Sequence, residues 1–186
     1  MTNANLNVAT GKFLTFHIAA EIYGIEVLHV REIIAITAIT AVPHTPRFIK
    51  GVMNLRGKII PLVDLRLKFN MEEREYTRET CVVVVEASGS REKILIGVIV
   101  DSVRDVIVVK AEQIEAVPSF GVQVNTAFLK GMANIKSALI LLLDIENVLS
   151  REELTLVEAV PETLSGGHNE AASSEESDVA AKEPEA

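Results

Sequence analysis

An internal repeat limits what this chain can fold into more than any other feature it carries. Residues 49–69, IKGVMNLRGKIIPLVDLRLKF, return at 129–149 as LKGMANIKSALILLLDIENVL. Lys50, Gly51, Asn54, Ile60, Leu62 and Asp64 meet Lys130, Gly131, Asn134, Ile140, Leu142 and Asp144 without a gap. Average residue usage gives on the order of one match in such a window. A second register agrees: YGIEVLHVREII from Tyr23 aligns with IGVIVDSVRDVI from Ile96, and Val42-Pro43 answers Val117-Pro118. Two similar β-rich halves predict two similar faces with a seam between them. Such a body suits joining partners better than processing a substrate.

A chain of 186 residues is long enough for one domain of ordinary size. No apolar run reaches the roughly 18 to 20 residues of a membrane span. The opening MTNANLNVATGK has no apolar segment of signal-peptide type. Cys81 is the single cysteine and lies inside the run CVVVVE, so it is expected to behave as a small buried hydrophobe. These features predict a soluble protein of a reducing cytoplasm. The net charge of −8 belongs to one end: residues 1–150 carry 16 basic and 16 acidic side chains, and residues 151–186 carry 2 and 10. The folded part therefore has no basic stripe for nucleic acid or anionic lipid.

The pattern along the chain is that of short strands. Lys12–Ala19 alternates, with both faces largely apolar, and Ile22–Val27 follows with Gly24 placed for close backbone approach. Val30–Ile34 and Ile36–Val42 keep the β-branched bias until Pro43 and Pro46. Gly51–Asn54 and Lys58–Val63 flank Leu55-Arg56-Gly57 as a hairpin, and 81–86 and 93–100 form another. Asp105–Val109 reads as a short strand, and Ala138–Leu143 as one buried on both sides. Asp64 and Asp144 each end a strand before a run of helical character, LRLKF and IENVL. There they are expected to cap the first turn, not to form an acid–base pair. Ser150 with Glu153 fits a capping box, Leu154, Val157 and Val160 give one apolar helical stripe, and Pro161 is expected to end that helix. Residues 1–11 read as a flexible N-terminus, 12–160 as the folded domain and 161–186 as an acidic disordered tail whose role is no more than solubility. Each half is too small for a comfortable core of its own, so the halves are expected to share one body.

Catalytic signals are missing from the sequence. His17, His29, His44 and His168 stand at no metal-ligand spacing from one another, from Cys81 or from a carboxylate cluster. His17 is expected on a strand and the other three on surfaces. There is no GxSxG, no HExxH and no phosphate cradle, and Arg56-Gly57-Lys58 lacks the GxxxxG of a P-loop. No enzyme, metal or cofactor is expected. With no Trp and few aromatics, stacking platforms for nucleic acid are poor as well.

Surface recognition remains. Val27, Val30 and Ile33-Ile34 interleave with His29, Arg31 and Glu32, and Val100, Val103 and Val106 repeat the pattern beside Asp101, Arg104 and Asp105. These segments are either core strands with solvated rims or the lips of an apolar groove fit for an amphipathic helix. Arg56 at a hairpin tip is either a solvated arginine, paired at the surface with Glu32, or an interface anchor.

Taken together, FLTFHIAAEIYGIEVLHVREI, VPHTPRFIKGVMNLRGKIIPLVDLRLKF and IGVIVDSVRDV resemble the CheW-type chemotaxis coupling family of bacteria, over about residues 12–150. The resemblance implies a mainly β fold of two intertwined five-stranded SH3-like β-barrels with short helices and a C-terminal helix. It implies a cytoplasmic scaffold, associated with receptor arrays at the inner membrane but not inserted in it. Its implied partners are the helical hairpin tip of transmembrane chemoreceptors and the regulatory domain of a histidine kinase. By position, Val27, Val30, Glu32, Ile33, Arg56, Val103 and Val106 would face the receptor. Ile39 and Val42 on the first half, and Glu115, Ser119 and Phe120 on the second, would face the kinase. The tail after Ser165 falls outside the pattern. Two other readings stand beside this one. One is a variant or fragment of a larger signalling protein, such as a kinase regulatory domain or a receiver-fused adaptor. The other is a small-ligand barrel, which needs a polar-lined cavity that strands this rich in Val, Leu and Ile leave little room for.

Overall fold

The computed structural model describes residues 10–89, 92–117 and 127–165, the last five by their backbone alone. The strands are β1 (Gly11–Ile18), β2 (Glu21–Glu26), β3 (Val30–Ala35), β4 (Ile49–Leu55), β5 (Lys58–Asp64), β6 (Cys81–Ser88), β7 (Lys93–Val100), β8 (Ser102–Val109), β9 (Ile114–Glu115), β10 (Leu129–Ile135) and β11 (Ala138–Leu143). Helix α1 spans Leu65–Lys68 and α2 spans Arg151–Ser165, with single 3-10 turns at Val27–His29 and Ala111–Gln113.

The strands form two sheets, ordered β8-β1-β2-β11-β10-β9 and β3-β6-β7-β5-β4. The second is extended by a bridge from Thr40 to Val52. Set against the repeat, this order is an exchange. The opening hairpin of the first half, β1-β2, lies in the sheet built from the later strands of the second half. The opening hairpin of the second half, β6-β7, lies among those of the first. Each exchanged hairpin joins its host along both edges, by the antiparallel pairs β1-β8 and β3-β6 and by the parallel pairs β2-β11 and β7-β5. In both parallel pairs, glycine faces leucine in register, Gly24 opposite Leu142 and Gly97 opposite Leu62. A Cβ on Gly24 would lie 3.3 Å from Leu142 Cδ2, the close approach expected of that position. The mainly β pair of intertwined barrels implied by the resemblance is what the chain forms.

The exchange explains the uninterrupted apolar runs. On β6, Val82 and Val84 point into the core of their own barrel, with Met53, Ile60, Leu62 and Ile99. Val83, Val85 and Ala87 point the other way, into a cluster between the sheets. On β1, Phe13 joins Val109, Ile114, Ala133, Ile140 and Leu142, while Leu14, Phe16 and Ile18 enter the shared cluster. That cluster draws 18 buried residues from both sheets and α2, against 6 in each barrel core, among the described residues. With roughly 1.5–3 kcal/mol per fully buried large side chain, the seam is the largest apolar contribution to the fold. A ladder of rings runs through it, Phe16–Tyr23–Phe69–Phe128, with centroids 6.3, 5.6 and 4.9 Å apart.

Local expectations fared unevenly. Asp64 caps α1, its Oδ1 accepting from the Arg66 and Leu67 amides at 2.9 and 3.3 Å. Burial holds its carboxyl above the usual carboxylate range, and those two amides offset only part of the rise. Asp144 accepts from the Glu146 amide at 3.2 Å and the Asn147 side chain at 2.9 Å, but IENVL closes as a turn, not a helix. The Ser150–Glu153 capping box forms in both directions, at 3.2 and 2.7 Å, and Val157 and Val160 are buried. Helix α2 does not stop at Pro161. It forgoes one backbone bond to the Val157 carbonyl there and continues to Ser165. Strand β8 begins at Ser102, three residues before the expected Asp105. Residues 36–42 form no strand beyond the Thr40 bridge. Strand β11 is not covered on both sides, for Leu139 is half exposed. Cys81 is half-buried, and burial raises its thiol pKa.

Candidate docking surfaces

The chain passes between the sheets twice, at Val27–His29 leading into β3 and at Asp101 leading into β8. The first residues after each passage are repeat mates in matching surroundings. Val30 sits opposite Val85 and Val103 opposite Phe16, and each pairing is followed by a register shift. Val27, Val30 and Val103 pack partly buried against the seam cluster. Their apolar character thus serves the core, the first of the two readings given for these segments. The Val103 backbone amide lies near the Cys81 sulfur and offsets part of the rise that burial causes in its thiol, and Cys81 faces Ala35 in the ladder. The end of β3 and the start of β8 therefore lie side by side.

Beyond them the side chains turn outward. Ile33 is 45% exposed and its mate Val106 is 55% exposed, neither belonging to a core cluster. Arg56 projects from a two-residue turn in which both central residues have positive φ, 53° and 86° at Gly57. This is the tight hairpin geometry that a glycine at the second position permits. Asn54 Oδ1 accepts from the Gly57 amide at 2.8 Å and stiffens the tip. The Arg56 guanidinium donates to Glu32 Oε2 at 2.9 Å, which joins the β4-β5 tip to β3. At 79% exposure the Arg56 side chain is held loosely, and a surface pair of this kind contributes about 0–1 kcal/mol.

Sequence reasoning passed over two apolar side chains beside these, Leu28 at 86% exposure and Val108 at 56%. The alternation in Val106-Ile107-Val108 was the available signal for Val108. It also placed His29 on the surface. The ring is half-buried instead, 3.6 Å from Glu26 and 3.7 Å from Glu146.

The second set of candidates lies at the opposite margin of each sheet. Thr40 bridges Val52, and Glu115 on β9 faces Met132, the repeat mate of Val52. The segment holding Ile39 and Val42 and the strand holding Glu115 thus occupy equivalent edges of the two barrels. Ile39 packs partly against its barrel core, Val42 is half-buried with its carbonyl accepting from Thr45 Oγ1, and Glu115 is exposed. Ser119 and Phe120 lie outside the described residues. Among the described residues no group of His, Cys, Asp and Glu is placed to hold a metal ion. No helix among them is long and apolar enough to cross a membrane.

Comparison with known proteins agrees over most of the length. The CheW-like domain family matches residues 12–153. The chain is 42% identical over 149 residues to a chemotaxis protein CheW of Klebsiella aerogenes, covering 80% of this chain and 87% of that one. It is 34% identical over 147 residues to that of Bacillus subtilis, covering 78% and 91%. The crystal structure of the scaffolding protein TtCheW from Thermoanaerobacter tengcongensis superimposes with a TM-score of 0.68 at 33% identity, over 77% of this chain and 97% of that one.

Proposed function

This chain belongs to the CheW-like family, and on that premise we propose that it is a non-catalytic adaptor coupling transmembrane chemoreceptors to a chemotaxis histidine kinase. The receptor's helical hairpin tip docks along β3 and β8, onto Val27, Val30, Glu32, Ile33, Arg56, Val103 and Val106. The kinase's regulatory domain docks at a barrel edge, at Ile39 and Val42 or at Glu115 with Ser119 and Phe120. The protein acts in the cytoplasm at receptor arrays and needs no cofactor. The observation that carries this reading is the separation of the two sets: the outward apolar residues Ile33 and Val106 follow the passages between barrels, and Ile39, Val42 and Glu115 sit at the opposite sheet margins. Both partners can then be held at once, and a shift in one biases the state of the other. Each contact can be of micromolar strength, about −8 kcal/mol, because simultaneous engagement adds avidity.

Charge reversals at the two surfaces separate the partners. Arg56→Glu is expected to lose capture of a receptor cytoplasmic hairpin while capture of the kinase regulatory domain stays at the wild-type level. Glu115→Arg is expected to weaken capture of the kinase regulatory domain, the Ile39–Val42 edge remaining, while receptor capture stays at the wild-type level. Both proteins should melt within a few degrees of wild type, since neither residue is buried. Loss of both partners together in either variant would contradict two distinct surfaces.

A further inference from the structure

The two passages between barrels are each latched by polar side chains, and the latches are counterparts. At the passage into β8, the Asp101 amide donates to the His17 carbonyl at 3.0 Å and Asp101 Oδ2 accepts from the Ala19 amide at 2.7 Å. The Arg66 guanidinium grips both carboxylate oxygens, with Nε to Oδ1 at 2.7 Å and Nη2 to Oδ2. At the passage into β3, His29 Nδ1 lies 3.3 Å from the Glu86 carbonyl and 3.7 Å from Glu146 Oε1, and Glu146 Oε2 accepts from the Ser88 amide at 2.8 Å. The ladders of β1-β2 and β6-β7 make His17 the mate of Glu86, and Ala19 the mate of Ser88. Arg66 and Glu146 are mates in the long repeat. One plan is thus used twice with acid and base exchanged: the base follows β5 in one latch, and the acid follows β11 in the other.

The latches differ in strength. Arg66 and Asp101 form a two-point fork, a geometry that fixes direction as well as distance. The His29 ring is in ion-pair range of Glu146 and Glu26 but forms no such fork, and Glu26 is shared with Lys130 at 3.1 Å. Each latch ties one barrel to the other, because Ala19 and Glu146 belong to the β1-β2-β11 side while Arg66 and Ser88 belong to the β5-β6-β7 side. Between them lies the seam of Val, Leu, Ile and Phe. Apolar contact holds such surfaces together but is non-directional and fixes no angle by itself.

We propose that Arg66 and Asp101 are positioning residues whose fork sets the angle between the two barrels, and through it the spacing of the partner-facing surfaces, with His29–Glu146 the looser counterpart. The environment of Asp101 agrees: burial would raise its carboxyl, yet the Arg66 and Ala19 hydrogen bonds outweigh it and hold the group below its ordinary value. The consequence for signalling rests on the adaptor reading; the angle is a property of the free protein.

Residual dipolar couplings of the full chain test the angle directly. Both barrels of the wild type should fit one alignment tensor. In Arg66→Gln they should require two, while His29→Gln, at the looser joint, should change the fit less. The double variant Arg66→Glu with Asp101→Arg copies the charge layout of the other joint and should return the barrels to one tensor. Receptor-stimulated kinase activity should fall several-fold in Arg66→Gln, with each partner still captured alone, and recover in the double variant. A single unchanged tensor in Arg66→Gln overturns the proposal. So does loss of either barrel's dispersed spectrum in both variants, which would make the pair ordinary core support, or unchanged kinase stimulation when the barrels have decoupled. If the wild type fails to stimulate any kinase, the adaptor reading fails instead, and the tensors still decide the angle.

Discussion

Gly51→Ala is expected to lower the melting temperature on the order of 10 °C. Gly51 has a φ of +136°, where an L side chain is strained by about 1–3 kcal/mol. A Cβ there would stand 2.1 Å from the Thr40 carbonyl oxygen, and backbone cannot swing aside as a flexible side chain can. Relief means opening the Thr40–Val52 bridge, whose two hydrogen bonds are 2.9 Å each and worth about 1 kcal/mol apiece. The total of about 3–5 kcal/mol converts to the stated shift at about 2–4 °C per kcal/mol for a domain of this size. The bridge also carries the Ile39–Val42 edge, so kinase capture through that edge should weaken along with stability. Calorimetry checks the first claim; a melting temperature within a degree or two of wild type would mean that the strand edge at Thr40 is not fixed as described.

Ile33→Glu combined with Val106→Glu is expected to remove receptor capture altogether while moving the melting temperature little. Both side chains are about half exposed and stand outside the three core clusters, so carboxylates there stay in water in the free protein. Against the apolar stripe of a docked helix they would be buried unpaired, at a cost of several kcal/mol for the pair. A micromolar contact does not survive that. These two residues are cleaner probes than Val30, where glutamate would press on the seam and lower stability as well. Capture by a receptor hairpin, read beside a thermal melt, separates the cases: retained capture would move the groove elsewhere, and a collapsed melt would make these residues part of the core.

The doubling was legible because identical residues at constant spacing need no knowledge of the fold. Which sheet each hairpin joins was not, since β1-β2 has the same local pattern whether it pairs with its own half or with the other. The local traces of the exchange were the two-sided apolar character of β1 and β6 and the small residues Gly24 and Gly97, all on the exchanged hairpins. His29 was misplaced for a similar reason. Its partner Glu146 is remote in sequence, and nothing in VLHVRE announces a joint. The failures at IENVL and Pro161 run in opposite directions. A run of helical character lost to a turn in which Asp144 accepts from the Glu146 amide, and a helix breaker was overridden where Leu154 and Val157 dock on the seam and Val160 is buried. Tertiary packing outweighed local preference in both. Of the proposed docking residues, the exposed Ile33 and Val106 followed the alternation, whereas Val27, Val30 and Val103 pack partly buried against the core cluster, a distinction alternation cannot draw.

The central claim is simultaneous docking, and light scattering on a size-exclusion column measures it most directly. The purified chain would be run with a receptor cytoplasmic hairpin and a kinase regulatory domain, first singly and then together, at concentrations above micromolar. The account predicts one species with the summed mass of all three components. A mixture of two pairwise complexes in which either partner displaces the other would contradict it.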